Sequence, residues 1–222
     1  ARAKQIWKKP MAVMVDRYSA SASEIFAGAI QDYQRGVIIG QKTFGKGTVQ
    51  KLDNLSSGQI KITESKFYRI TGAGMQSKGI HPDIILPSTW DIEEIGESSY
   101  DTALPWDEIK PVRFKKFFMR PTLISKLNDE HLIRVNQSPN LQYILEIRKR
   151  YEIQKNKEVI SLNLTNRRVE KEERQAWALG IENKRRASLN LETFNSYKAM
   201  QDYNDVKETE DDERDAEIDV DN

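Results

Sequence analysis

Two short apolar runs, Met11-Ala12-Val13-Met14-Val15 and Val37-Ile38-Ile39, constrain this chain more than any other feature. Runs of that length read as buried strands. The first ends at Asp16, and the second is bounded by Gly36 and Gly40. Between them, Glu24-Ile25-Phe26-Ala27-Gly28-Ala29-Ile30 places apolar residues at helical spacing. Strand, helix and strand in this order predict a parallel α/β unit. In such units, sites are built on the segments that leave the carboxyl ends of the strands.

Those two segments hold the reactive residues. After the first strand comes Ser19-Ala20-Ser21-Ala22-Ser23-Glu24, and after the second comes Gly40 to Gln50, with Thr43-Phe44-Gly45-Lys46-Gly47 at its centre. A serine hydroxyl is a weak nucleophile until a neighbour takes its proton. A lysine serves as that neighbour where desolvation disfavours the ammonium form. Pairing Ser21 with Lys46 gives a Ser-Lys variant of the hydrolytic triad. Ser21 falls at the strand-to-helix junction, so the Ala22 amide is the candidate donor to a developing oxyanion. Simpler readings compete: the three serines as turn and cap residues, and Lys46 as a solvated loop lysine. A phosphate-binding loop is excluded on two counts. Gly47 stands where Ser or Thr would reach magnesium, and Thr48-Val49-Gln50-Lys51-Leu52 reads as strand where a helix is required.

Val15-Asp16-Arg17-Tyr18-Ser19-Ala20-Ser21-Ala22-Ser23-Glu24-Ile25, then Gly40 to Gln50, then Gly79-Ile80-His81-Pro82-Asp83, resemble the C-terminal processing peptidases, and within them the tail-specific branch. The resemblance runs in order through the first ninety residues and continues at Ala103-Leu104-Pro105-Trp106-Asp107. It implies a partial ClpP/crotonase-like α/β serine peptidase core followed by an α-helical C-terminal domain. It puts the nucleophile on Ser21, the general base on Lys46 and the lysine-orienting glutamine on Gln50. Asp32 matches an acidic position implicated in the tail-specific branch, against a reading as a solvated helix-end acid or a local ion pair. Glu24 reads as a helix-start residue complementing the dipole.

The implied reaction is acyl transfer. Lys46 takes the Ser21 proton, the oxyanion rests on backbone amides, and water releases the acyl-enzyme. The resemblance also implies protein substrates with apolar C-terminal tails, a periplasmic setting and room for a protein adaptor. No cofactor or metal is expected: the chain has no cysteine, and its two histidines, His81 and His131, lie far apart. Family members carry a PDZ module and a glycine-rich oxyanion segment before this region. Neither lies within these residues, nor does a leader peptide or membrane span. The expectation is therefore a C-terminal portion of a longer protease with little activity alone. The competing functions are a ligase or transferase using the same acyl-enzyme, and a non-catalytic scaffold that keeps the protease fold.

Composition divides the chain into 1–104, the part of the peptidase core; 105–204, helical and charged; and 205–222, acidic and predicted to be disordered or weakly helical. Strands are expected at Ile6-Trp7, at Gln59 to Thr63, at Lys66 to Ile70 and at Asp83 to Pro87. Helices are expected from Pro121, from Ser138-Pro139, and from a Thr165 cap through Trp177. With 35 basic and 34 acidic residues, charge is nearly balanced, and the basic stretches are interleaved with acids. Nucleic acid is therefore not an expected partner.

Overall fold

A computed structural model of the chain describes residues 7–91, 94–117 and 121–220. Two compact units divide it, Ala1–Asn136 and Gln137–Asn222.

In the first unit, β1 (Ala12–Val15), α1 (Ala22–Asp32) and β2 (Val37–Gly40) form the predicted strand-helix-strand turn. β1 and β2 pair in parallel, from Ala12 opposite Val37 to Val15 opposite Gly40. The chain then makes an antiparallel hairpin of β3 (Thr48–Asn54) and β4 (Gln59–Lys66), with a register shift at Val49/Gln50. β5 (Ile84–Ile85) returns to pair in parallel with β2, giving the sheet order β1-β2-β5. β4 stops at Lys66, short of the strand expected through Ile70. Phe67 turns its amide to the Gly47 carbonyl at 2.7 Å, and Tyr68 bridges Gly74. Of the expected Ile6-Trp7 strand, Ile6 lies outside the described residues and Trp7 is irregular.

The helical spacing of α1 decides what it buries. Glu24, Ala27, Gly28 and Asp32 face inward, while Ile25 and Phe26 stay exposed. Ala27 packs with Val15, Ile38, Met75 and Ile80 as the buried core, flanked by Val13, Ile30 and Phe67. Asp83 locks the last motif to the sheet: its amide donates to the Ile38 carbonyl, and its carboxylate accepts the Ile38 amide, both at 2.8 Å. α2 (Pro121–Gln137) packs behind this strand. Asn128 donates to the Asp83 carbonyl, and the buried His131 ring bonds the Ile85 carbonyl.

The second unit is helical: α3 (Pro139–Lys155), α4 (Leu164–Ser188) and α5 (Tyr197–Val220). Ser138 caps α3 as its sequence predicts, with Pro139 in the first turn. For α4 the cap is Asn163, two residues before the expected Thr165. The Asn163 Oδ1 accepts the Thr165 and Asn166 amides at 2.9 and 3.3 Å. α5 carries helical backbone through the acidic stretch to Val220. That segment contains no Gly or Pro to interrupt it. No described helix is long and apolar enough to cross a membrane.

At Gly40, φ is +132°, and a Cβ would lie 1.8 Å from the Val15 carbonyl oxygen. Gly40→Ala is therefore expected to lower the unfolding free energy by about 2 kcal/mol or more in denaturant melts. Gly180→Ala, where a Cβ meets open space within α4, should raise it by up to about 1 kcal/mol.

Candidate active site

Ser21 is the N-cap of α1, with φ 55° and ψ −112°. A non-glycine residue at positive φ on a strand-to-helix turn is strained. It is also the backbone shape that lifts a nucleophile clear of its own helix. Ala22 follows as the first helical residue, and among the described residues its amide has no hydrogen-bond acceptor. That leaves an unpaired donor at the helix start beside Ser21.

Glu24 holds the turn in place. Its carboxylate, buried completely, accepts the Ser21 amide on Oε2 at 2.9 Å. The same oxygen accepts the Lys46 amide at 2.9 Å. Its other oxygen accepts the Gly45 amide at 2.7 Å and the Thr43 hydroxyl at 2.5 Å. Sharing one oxygen keeps the Ser21 and Lys46 backbone nitrogens under about 6 Å apart, across 25 residues of sequence. The backbones of the predicted pair are thus held near one another by Glu24, which its place in the sequence assigns to the helix dipole. The signal was the Ser-x-x-Glu spacing of a capping box. That spacing predicts the bond to Ser21 but not the three bonds across the fold.

Further contacts fix the lysine loop from both sides. Phe44 donates its amide to the Ser19 carbonyl at 3.0 Å. Thr43, itself buried, exchanges bonds with Ile80: amide to carbonyl at 3.1 Å, and Ile80 amide to Thr43 Oγ1 at 2.7 Å. The buried Arg17 donates to the Thr43 carbonyl. Gln76 accepts the Gly47 amide at 3.0 Å, and the Ser77 amide donates to the Gly45 carbonyl at 2.8 Å. The Lys46 side chain is half-buried and has no partner among the described residues. Lys42, in the same loop, has its ammonium form disfavoured by burial first and by the charge of Arg17 second.

Gln50 sits two residues into β3, next to the register shift. Its amide nitrogen donates to Thr48 Oγ1 at 2.8 Å and to Thr63 Oγ1 at 3.5 Å. Asp32 lies at the far end of α1, 8% exposed, with its carboxylate taken by Arg69. Arg69 Nε donates to it at 3.0 Å, and Arg69 Nη2 bonds both Asp32 and Gln31. This fork ties α1 to the segment that carries Met75 and Gln76, the latter bonded to the lysine loop. Asp32 is thus paired with Arg69 at the far end of α1, away from the lysine loop's own hydrogen bonds.

Residues 1–86 match the model of peptidase family S41, and residues 90–222 match that of the C-terminal domain of tail specific protease. The chain belongs to the tail-specific proteases of family S41. It is 39% identical over 195 residues to the tail-specific protease of Haemophilus influenzae, covering 82% of this chain and 28% of that protein. It is 39% identical over 104 residues to a carboxy-terminal-processing protease of Bartonella bacilliformis, covering 46% of this chain and 23% of that one. The chain thus spans about a quarter of the length of these relatives. Among solved structures, the photosystem II D1 C-terminal processing protease is 41% identical, covering 35% of this chain and 20% of that chain, with a TM-score of 0.33.

Two stability measurements check the scaffold. Glu24→Gln keeps the size but turns an NH2 donor toward donors already present. It is expected to lower the unfolding free energy by about 2 kcal/mol or more. A double-mutant cycle of Asp32→Asn and Arg69→Met should return a coupling energy of about 1–3 kcal/mol. A coupling near zero would mean that the fork does not tie α1 to that segment.

Proposed function

We propose that this chain carries the nucleophile and base of a serine endopeptidase of Ser-Lys type, acting on proteins with apolar C-terminal tails. The observation that carries the reading is the single Glu24 carboxylate fastened to the backbones of both Ser21 and Lys46. Ser21 Oγ attacks the scissile carbonyl while the Lys46 amine takes its proton. The Ala22 amide supports the oxyanion, and Lys46 then delivers the proton to the leaving amine. Water attacks the acyl-enzyme with Lys46 again as base, and the carboxylate product and free Ser21 result. Gln50 is the proposed orienter of Lys46: its side-chain oxygen, left over by the bonds its amide nitrogen makes to Thr48 and Thr63, would accept from the Lys46 amine, a bond not formed among the described residues. Asp32 keeps the loop in register through Arg69.

Family membership supports a periplasmic location and a separate tail-binding module, which would take an apolar chain end by strand addition. It equally supports a protein adaptor as partner. Within the chain, residues 1–104 would serve the chemistry, 105–204 would form a helical attachment, and 205–222 an acidic end.

The test is cleavage of an unstructured, apolar-tailed protein by the protein in its full natural length. Ser21→Ala and Lys46→Ala are each expected to reduce kcat by about a thousandfold or more, with tail binding retained. Gln50→Ala should cost about ten- to a hundredfold. Cleavage that survives either of the first two substitutions sinks the dyad.

A further inference from the structure

The second unit holds a cavity that peptide hydrolysis does not use. It is ≈ 610 Å³ and lies along the end of α3, the connection to α4 and the first turns of α4. Arg150, Lys157, Arg167, Arg168, Lys171 and Arg174 line it against only two acids, Glu170 and Glu173. Glu170 is already engaged by Lys157 at 2.6 Å and Arg167 at 2.5 Å. Arg150 stacks its guanidinium 5.4 Å from the Trp177 ring, and its buried Nε has no hydrogen-bond acceptor among the described residues. Ile153, Ile160 and Leu164 give the cavity apolar walls, and each is at least 60% exposed. A basic rim around exposed apolar side chains fits an acidic segment that carries apolar residues.

The chain contains such a segment. Its net charge of +1 conceals a strong segregation: residues 205–222 hold ten acids against Lys207 and Arg214. The other 204 residues keep 33 of the 35 bases and 24 of the 34 acids. Val206, Ile218 and Val220 are interleaved with the acids. The segment lies on α5, whose side chains from Gln201 to Glu210 are all exposed. A helix that is polar and solvated all round is one that bridges to something else or is marginal by itself. Near its start, α5 is held to α4, with Arg186 over the Tyr203 ring at 5.1 Å. The acidic residues of its described part, from Asp205 to Glu210, are thus open to a partner.

We propose that the basic cavity between α3 and α4 receives the acidic end of α5 from a second copy of this chain. Reciprocal docking closes a twofold dimer in which each copy offers one arm and one cavity. The contact is electrostatic at its rim, so salt weakens it.

Sedimentation velocity of the chain at low and high ionic strength tests this, with two variants alongside. One is truncated after Asn204 and keeps the cavity. The other carries Arg168→Glu and Lys171→Glu, exposed positions outside the core, and keeps the arm. The unaltered chain is expected to dimerise at low salt, with a dissociation constant rising about tenfold or more at high salt. Each variant should be monomeric alone, and mixing the two should restore a heterodimer through the one remaining arm-cavity contact. A labelled peptide of residues 205–222 should bind the truncated chain and lose about tenfold or more in affinity on the charge-reversed one. A monomeric chain at all concentrations overturns the proposal, as does a dimer indifferent to either change. Peptide binding by a truncated form of a chain that is itself monomeric would assign the cavity to the chain's own arm, and overturns the second copy.

Discussion

One carboxylate organises the first unit. Glu24 has no contact with solvent, and a buried carboxylate is tolerated only when donors surround it. Here three backbone amides and a threonine hydroxyl do so, drawn from two loops that follow neighbouring parallel strands. The positive φ of Ser21 belongs to the same arrangement, because the Ser21 amide must turn inward to reach Oε2. Strain in the Ser21 turn is thus compensated by bonds to a residue three positions away. The apolar core nearby is small, five buried side chains with three flanking. Hydrogen bonds among Thr43, Gly45, Gly47, Gln76 and Ile80 join the loops where side-chain packing does not.

The sequence disclosed what is local. Apolar runs located β1 and β2, helical spacing located α1, and the Ser138-Pro139 pair located the start of α3. The family resemblance, now supported by matches along the whole chain, rested on spacings that survive in the fold as loops meeting at one carboxylate. What escaped detection is long-range and polar. Glu24 to Gly45, Gln76 to Gly47 and Arg69 to Asp32 join residues separated by 21, 29 and 37 positions. No periodicity reports such pairs, since a backbone amide can meet any acceptor. The end of β4 at Lys66 escaped for the same reason: Lys66 to Ile70 suits a strand, but Gly47 claims the Phe67 amide. Asn163 took the cap of α4 because its side chain reaches two amides, where Thr165 was one of the residues to be capped.

The third motif, Gly79 to Asp83, has no reacting group in it, and its value lies in what it holds. Ile80 fills the core and grips Thr43, while Asp83 bonds the centre of β2 through both backbone and side chain. Gln31, from α1, reaches across to the His81 carbonyl and to Asp83. Residues from four separate stretches thus converge beneath the two loops, so the spacing between motifs is dictated by the depth of the fold and not by the chemistry above it.

Because the Ser21, Gly45 and Lys46 amides all end on a carboxylate that water never touches, neither loop can open alone. Releasing one strips a buried charge of its donors, and the energy of that event is comparable to opening the core itself. The two surface loops accordingly share the cooperativity of the strands that precede them. In the language of local unfolding, Ser21 and Lys46 belong to one unit with the sheet: the protein either holds their backbones together or has begun to unfold.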